Sequence, residues 1–248
     1  MEHKTALITG ASSGLGRGLA LFFAARGVKV YAAARRTSEL ESLKDQAKGE
    51  VVPLTLDVSN GDATFERVRA LDKECGGLDL VIANAGTADA TSGKRIDWAV
   101  VRRIIDVNVT GATATLAGAL PGMVERKRGQ IVGVSSIAAL VGSPRLGAYC
   151  GSKAFLSSFL ESVRHDVGPL GIVVTTLQPG YIKTELTSKR KPESMPYLME
   201  LDDAVQRMGE AIVREELVFT FPFQLGTLLK VAAALPRPLR AAAMRRFG

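Results

Sequence analysis

The feature that most constrains the fold of this chain is a regular alternation of short β-rich runs with longer helical patterns, which continues to about residue 220. The predicted strands lie near 4–9, 28–33, 50–55, 78–83, 129–135, 171–177 and 217–221, and the predicted helices near 14–26, 38–48, 60–75, 97–127, 145–168 and 201–214. Asn60, Asp97 and Asp202 are the predicted capping residues of three of these helices. Such alternation predicts a single α/β domain built on a doubly wound (Rossmann) parallel sheet of seven strands. Ligands of such sheets bind beyond the carboxyl ends of the strands.

The composition agrees with an ordinary globular protein. Of 248 residues, 46% are apolar and 23% are charged, which excludes a disordered chain or a disulfide-stapled miniprotein. The two cysteines, Cys75 and Cys150, form no C-x-x-C motif, so we predict no metal site and a reducing, cytoplasmic location. The apolar run near the amino terminus ends at Gly10, which is too early for a secretion signal, and no run of eighteen apolar residues predicts a membrane span.

The net charge of +7 is concentrated at the carboxyl end of the sequence. Residues 221–248 contain five basic residues and no acidic residue, so the preceding 220 residues carry a net charge of only +2. This distribution disfavours bulk nucleic-acid binding and divides the chain into a main domain (1–222) and a basic amphipathic tail (223–248). The tail has leucines at helical spacing, which leaves three alternatives open: peripheral contact with an anionic membrane, a subunit contact, or a lid over a substrate cleft.

A glycine-rich loop joins the first predicted strand to the first predicted helix. It contains Gly10, Ser12, Ser13, Gly14, Leu15 and Gly16. Glycines let the backbone turn sharply and approach a pyrophosphate, whose charge is favoured by the free N–H groups at the start of a helix. The loop therefore predicts a dinucleotide site.

The second predicted strand is followed by Arg35 and Arg36, where an NAD site would present an acidic residue to the ribose. Guanidinium groups suit the additional 2′-phosphate of NADP. The expected cofactor is therefore NADP(H).

Tyr149 and Lys153 are four residues apart and are expected to share one face of a helix. A neighbouring cation stabilises a phenolate, so we expect Lys153 to bring the pKa of Tyr149 toward neutrality and fit it for proton transfer. Ser136 lies thirteen residues before Tyr149, at the end of a predicted strand, where its hydroxyl could hold a substrate carbonyl.

These motifs, in this order and spacing, resemble the short-chain dehydrogenase/reductase family over residues 4–220. Further matches are Asp57-Val58 after the third strand, Asn84-Ala85-Gly86 after the fourth, and Asn108 in the sequence DVNVTG. The resemblance implies that Tyr149 is the acid/base and that Lys153 lowers its pKa and holds the nicotinamide ribose. It also implies that Ser136 binds the carbonyl oxygen and Asn108 anchors a water of a proton relay.

The resemblance also assigns the remaining cofactor contacts. Asp57 and Val58 would contact the adenine, and Asn84, Ala85 and Gly86 would contact the cofactor from the floor of the site. Pro179, Gly180, Ile182 and Thr184 would form the loop around the carboxamide. The segment of about 180–200 is the expected substrate loop, and we predict it to be a flap over the site.

The activity that the resemblance implies is interconversion of a small carbonyl compound and an alcohol with NADP(H), by a homodimer or homotetramer. A lipophilic substrate would suit both the membrane and the lid alternatives for the tail. One alternative is a 3-oxoacyl thioester reductase, although the glycine-rich ending typical of that group is absent. The other is a catalytically silent NADP-binding scaffold at a membrane.

Overall fold

Seven parallel strands form one sheet in the computed structural model, which describes residues 2–188 and 190–236. The strands are β1 (Thr5–Thr9), β2 (Lys29–Ala34), β3 (Val51–Thr55), β4 (Leu80–Ala83), β5 (Gly129–Val134), β6 (Ile172–Pro179) and β7 (Val218–Phe221). Their order across the sheet is β3-β2-β1-β4-β5-β6-β7. The predicted doubly wound sheet of seven strands is therefore confirmed.

Helices cover both faces of the sheet. They are α1 (Gly14–Ala24), α2 (Thr37–Gln46), α3 (Gly61–Glu74), α4 (Trp98–Ile105), α5 (Ala112–Arg126), α6 (Gly147–Val167), α7 (Leu201–Val213) and α8 (Phe223–Ala234). Successive side chains of a strand point to opposite faces, so Ile8 packs in the core beneath α1 and α7, and Leu7 packs in the core beneath α3, α5 and α6. Both faces are buried, as expected of a parallel sheet.

The predicted helix over 97–127 has an interruption that its periodicity did not indicate. Between α4 and α5 lies a stretch of π-helix, Asp106–Gly111, which contains Asn108. A π turn adds one residue to the helical turn without ending the helix, so apolar spacing alone does not reveal it. Because of this turn, Asn108 is completely buried against α6, where it contacts Ser152.

Two of the three predicted caps are confirmed. Asn60 accepts a hydrogen bond from the backbone N–H of Ala63 at 3.2 Å, and Asp97 accepts one from Ala99 at 2.9 Å. The prediction for Asp202 is wrong, because Glu200 occupies the N-cap position of α7 and Asp202 lies within the first helical turn. There its negative charge still complements the helix dipole.

The order of the strands determines where a ligand site can form. Chain connections run outward in both directions from β1 and β4, so these two strands mark the point at which the strand order reverses. Their carboxyl ends, at Thr9 and Ala83, are adjacent. A crevice at such a point is the usual ligand site of an open α/β sheet.

The predicted tail begins with helix α8, which starts two residues after the end of β7. Within α8, Leu225 is buried, whereas Phe223 and Val231 are 77% and 58% exposed. Residues 237–248, which contain four of the basic residues of the tail, lie outside the described residues. Among the residues that are described, no helix is long and apolar enough to cross a membrane.

Candidate active site

A cavity of about 1140 Å³ opens at the carboxyl ends of the strands. Its wall contains Gly10, Ser12, Ser13, Gly14, Leu15, Gly16, Arg35, Arg36, Asp57, Val58, Asn84, Ala85, Gly86, Ser136, Tyr149, Lys153, Pro179, Gly180, Ile182 and Thr184. Among the site residues predicted from sequence, Asn108 is the exception, because it is fully buried behind this wall. The fold thus brings the separate motifs around one space.

The glycine-rich loop is shaped by close backbone contacts. Gly10 has a φ of +69°, and a Cβ atom there would lie 2.7 Å from the Cα of Ala85. A Cβ on Gly16 would lie 2.3 Å from the carbonyl oxygen of Gly10. The side chain of Ser13, at the N-cap of α1, makes no capping hydrogen bond. Larger residues would therefore push the loop out of the cavity, and the start of α1 retains donors for an anion.

Asn84 ties the loop after β4 to the glycine-rich loop. Its Nδ2 donates to the carbonyl oxygen of Thr9 at 2.9 Å, and its backbone N–H donates to the Oγ1 of Thr9 at 3.2 Å. Next to it, a Cβ on Gly86 would lie 3.4 Å from the Nζ of Lys153. These contacts hold the floor of the cavity between the glycine-rich loop and α6.

A candidate anion site lies in the part of the cavity next to the carboxyl end of β2. The guanidinium of Arg36 donates to the Oγ of Ser12 at 3.1 Å and to the Oγ of Ser13 at 2.9 Å. The same group lies 3.6 Å from the Glu185 carboxylate, which accepts a hydrogen bond from Ser13 at 3.2 Å. Arg36 and Ser13 thus already contact a carboxylate of the protein itself, and Arg35 adds a second positive charge to the cavity wall. The residues fit a cofactor with a phosphate at this end.

Asp57 and Val58 line the cavity beyond β3. The Oδ1 of Asp57 accepts hydrogen bonds from the backbone and side chain of Ser59, at 3.0 and 2.8 Å. Val58 is buried. The carboxylate and the apolar side chain give this part of the cavity a hydrogen-bond acceptor and an apolar contact surface.

The loop after β6 closes the cavity from above. The backbone N–H of Gly180 donates to the carbonyl oxygen of Phe221 at 2.7 Å, and Ile182 forms a β-bridge with Met199. A Cβ added to Gly14 would lie 3.5 Å from the side chain of Thr184. The loop is therefore anchored at both ends of residues 180–200 and reaches across to the glycine-rich loop.

Ser136 and Tyr149 both line the cavity. Ser136 accepts a hydrogen bond from the backbone N–H of Ala138 at 3.1 Å and donates to the carbonyl oxygen of Pro179 at 3.4 Å, which fixes its hydroxyl at the end of β5. The Ser136 side chain also acts to lower the pKa of the Tyr149 phenol, so the two hydroxyl groups are neighbours. Two neighbouring hydroxyl groups can hold and protonate the same oxygen atom of a ligand.

Burial has the larger effect on Tyr149, and it raises the pKa of the phenol above its ordinary value. This differs from the sequence-based expectation, in which Lys153 brings that pKa toward neutrality. The reason is that sequence spacing reveals the neighbouring cation but not the loss of water around the phenol. The Nζ of Lys153 lies 5.9 Å from the centroid of the Tyr149 ring.

Lys153 is itself 5% exposed, and its Nζ donates to the carbonyl oxygen of Val134 at 2.7 Å. Burial lowers the pKa of Lys153 from 10.5 to about 8. Below pH 8 the ammonium is charged in both the folded and unfolded states, so its burial destabilises the fold. Between pH 8 and 10.5 only the unfolded chain still binds the proton, so this destabilisation disappears as the pH rises.

We therefore expect the free energy of unfolding of the wild type, relative to that of Lys153→Met, to increase by about 3 kcal/mol between pH 7 and the pH at which a free lysine loses its proton. Urea denaturation across this range measures the difference. Lys73→Met, which removes an exposed lysine of α3, is the matched control and should track the wild type. Parallel pH profiles of the wild type and Lys153→Met would show that the pKa of Lys153 is not lowered in the folded protein.

Asn108 lies behind the cavity wall, where its side chain binds two of the elements that form the wall. Its Oδ1 accepts from the backbone N–H of Thr87 at 2.8 Å, and its Nδ2 donates to the carbonyl oxygen of Thr87 at 2.9 Å and to the Oγ of Ser152 at 3.0 Å. Ser152 in turn donates to the carbonyl oxygen of Tyr149 at 2.7 Å. The side chain of Asn108 thus connects the loop after β4 with the turn of α6 that carries the tyrosine.

The family model for short chain dehydrogenases matches residues 4–194, a range that contains every site residue described above. The chain belongs to the short-chain dehydrogenase family. As predicted, it is an oxidoreductase, an enzyme of the group that acts on CH–OH donors.

This short-chain dehydrogenase is similar to two other proteins in sequence and to a third in its solved structure. It is 55% identical to an uncharacterized oxidoreductase of Myxococcus xanthus, over all of this chain and 98% of that protein. It is 30% identical to the 3-oxoacyl-(acyl-carrier-protein) reductase FabG of Vibrio cholerae, over 78% of this chain and 79% of that one. A short-chain dehydrogenase from Sphingobium yanoikuyae, solved in complex with NADPH, has a TM-score of 0.82 and 27% identity, and the match covers 97% of this chain and 95% of that one.

Two groups of cavity residues of this short-chain dehydrogenase were missed by sequence reasoning. Glu185 and Arg190 belong to the substrate loop, in which no spacing distinguishes them from other surface charges. Leu225, Leu228 and Leu229 of α8 also line the cavity. Their helical spacing was visible in the sequence, but it did not indicate which surface they cover.

Proposed function

We propose that the protein interconverts a ketone or aldehyde and the corresponding alcohol with NADP(H), using Tyr149 as the acid/base. The observation that carries the proposal is that the Tyr149 and Ser136 side chains line the same cavity as the arginine pair after β2. One end of this cavity suits an anionic cofactor, and the centre suits a carbonyl oxygen.

The preference for NADP(H) is supported by Arg35 and Arg36. Arg36 and Ser13 already hold the carboxylate of Glu185, so this end of the cavity has the donors that a 2′-phosphate needs. The glycine-rich loop would hold the pyrophosphate, Asp57 and Val58 the adenine, and the loops after β4 and β6 the nicotinamide half. The similar structure from Sphingobium yanoikuyae is a complex with NADPH, which agrees with this choice.

NADPH, when bound, supplies a hydride from C4 of its nicotinamide ring to the carbonyl carbon. The Ser136 hydroxyl orients the carbonyl oxygen, and the phenol of Tyr149 transfers its proton to that oxygen as the alcohol forms. Because burial raises the pKa of Tyr149, the phenol carries its proton throughout the neutral pH range and is ready to donate it.

Lys153 and Asn108 support the proton transfer. The ammonium of Lys153 lies close enough to the Tyr149 ring to stabilise the phenolate that remains after the transfer. Both polar atoms of the Asn108 side chain bind other protein groups, so Asn108 also fixes the position of Tyr149 through Ser152. Its role as the anchor of a water in a proton relay stays a prediction.

Of the three alternatives for the tail, the position of α8 favours the lid. Leu225, Leu228 and Leu229 face the same cavity as Tyr149, and Ile137 and Val141 extend this apolar surface. An aliphatic substrate would remove these side chains from water, which supports a lipophilic substrate.

The test is the oxidation of NADPH and of NADH by the purified protein with a panel of ketones, quinones and 3-oxoacyl thioesters. We expect turnover that prefers NADPH and is highest with the ketones that carry long aliphatic groups. Tight NADPH binding without turnover of any member would leave two alternatives, a substrate outside the panel or the silent scaffold.

A 3-oxoacyl thioester reductase is the second candidate, because the chain is similar to the Vibrio cholerae reductase over more than three quarters of its length. Higher kcat/KM for thioesters than for the corresponding ketones in the same panel would favour this activity. The departure of the carboxyl-terminal sequence from the glycine-rich ending argues for the simpler carbonyl compounds.

Membrane contact through 223–248 is a separate proposal. It is supported by the exposed Phe223 and Val231 of α8 and by the basic residues of the tail. Flotation with vesicles that contain anionic lipid tests it. The full chain should float and a chain ending at Pro236, which keeps α8, should float much less, whereas equal flotation of the two, or none, would contradict a role of the basic segment.

A homodimer or homotetramer is also proposed, through the helices that carry Asn108 and Tyr149. Phe155 and Ile105, on α6 and α4, are 45% and 38% exposed, which leaves apolar surface on these helices for a partner subunit. Sedimentation velocity of the full chain measures the assembly, and a monomer at all concentrations would exclude it.

A cytoplasmic location is proposed from the cysteine content alone.

A further inference from the structure

The substrate half of the cavity contains an arginine that no predicted function uses. Arg190 lies in the loop after β6, is half-buried and lines the cavity. Arg190 and Tyr149 line the same cavity, and the positive charge of Arg190 opposes the rise that burial causes in the pKa of Tyr149.

The other arginines of the cavity wall that lie away from the anion site have counter-ions. Arg102 lies 3.7 Å from the carboxylate of Asp106, and the corresponding distance from Arg103 to Asp89 is 2.6 Å. Arg190 has no carboxylate partner and makes no side-chain hydrogen bond within 2–188 and 190–236. A half-buried guanidinium presents several N–H donors, and an anion that reaches it gains charge-assisted hydrogen bonds.

The wall that faces the same space is apolar. Leu228 and Leu229 of α8 contribute to it, together with Leu146 at the start of α6 and Val141. The carboxylates of the cavity wall, Asp57, Asp106 and Glu185, are already engaged by Ser59, Arg102 and Arg36. A ligand that contains an aliphatic part and one negative charge therefore matches what this half of the cavity offers.

We propose that the substrate is an amphiphilic carbonyl compound whose aliphatic chain packs on α8 and whose anionic head group pairs with Arg190. This deepens the proposed function and rests on it, because it places the carbonyl at Tyr149 and names the remainder of the molecule. Arg190 and Leu228 would then determine specificity for the two ends of the ligand, and neither would take part in the proton transfer.

The test of the anionic end compares two probes of equal chain length, 9-oxodecanoate and its methyl ester. The quantity measured is the ratio of kcat/KM for the acid to that for the ester, which cancels effects of a substitution on the chemical step. We expect Arg190→Gln to lower this ratio at least tenfold and Arg190→Lys to lower it less. Lys191→Gln, which removes the exposed neighbouring cation outside the cavity wall, should leave the ratio unchanged. A change of less than twofold in Arg190→Gln, or an equal change in Lys191→Gln, would overturn the assignment.

The test of the apolar end compares decan-2-one with butan-2-one. Leu228 lines the cavity and is half exposed, so Leu228→Ala can be made without opening the core. We expect it to lower the preference for the longer ketone about fivefold. Val231→Ala, on the same helix but outside the cavity wall, is the matched control. Equal effects of the two substitutions would show that Leu228 of α8 does not contact the substrate.

Binding of decanoate to the full-length protein, measured by calorimetry, separates this inference from the proposed function. If decanoate binds the wild type at least tenfold more tightly than Arg190→Gln, the ligand class stands even when no carbonyl compound is reduced. If carbonyl compounds are reduced but decanoate binds both proteins equally, the proposed function stands and the pairing with Arg190 is wrong.

Discussion

Replacing Tyr149 by Phe is expected to lower kcat for carbonyl reduction about a thousandfold. The substitution keeps the ring and removes only the hydroxyl group, so the carbonyl oxygen loses its proton donor. Steady-state kinetics with NADPH and the best ketone of the panel measure the loss. Binding of NADPH, followed by the fluorescence of its nicotinamide ring, should change little, because the arginine pair and the glycine-rich loop are unaltered.

Tyr31→Phe is the matched control for this experiment. It removes a phenol hydroxyl from β2, at a position that packs against the core beneath α3, α5 and α6 and does not line the cavity. Its kcat should equal that of the wild type. A Tyr149→Phe enzyme with kcat within threefold of the wild type would show that another group donates the proton.

Arg35→Asp is expected to lower kcat/KM for NADPH about 10- to 100-fold more than kcat/KM for NADH. The side chain is exposed at the cavity wall, so the substitution removes a partner of the 2′-phosphate and introduces a repelling charge, while leaving the bonds between Arg36 and the two serines in place. Charge-assisted hydrogen bonds of this kind contribute about 1.5–3 kcal/mol. Initial rates with both cofactors give the two values.

Arg69→Asp makes the same change in charge on α3, at an exposed position outside the cavity wall. It should leave the ratio of the two kcat/KM values unchanged, which excludes an effect of net charge alone. If Arg35→Asp weakens the use of NADPH and NADH equally, the preference for NADP(H) does not come from this residue.

The parts of the site that were predictable from the sequence are those determined by local spacing. Gly10, Gly14 and Gly16 stand between a strand and a helix, and Tyr149 and Lys153 stand one helical turn apart. Each pattern has a physical meaning that does not require knowledge of distant residues, and the order of the strands places these patterns at one edge of the sheet.

The parts that were not predictable depend on contacts between distant residues. Glu185 reaches Ser13 across 172 positions of the sequence, and no local pattern indicates that pair. The direction of the pKa shift of Tyr149 depends on how completely the surrounding loops exclude water, which is a property of the folded protein. The leucines of α8 were recognisable as one apolar stripe, but whether that stripe meets a membrane or a cavity depends on the turn between β7 and α8.

The most direct test of the proposed chemistry is the transfer of deuterium from NADPH labelled at C4 of the nicotinamide ring to the best ketone of the panel. Mass spectrometry of the alcohol locates the label. We expect one deuterium on the carbinol carbon from NADPH labelled at one of the two C4 positions, none from NADPH labelled at the other position, and hydrogen from the solvent on the oxygen. Oxidation of NADPH that gives an alcohol without deuterium whichever C4 position is labelled would contradict the proposed hydride transfer.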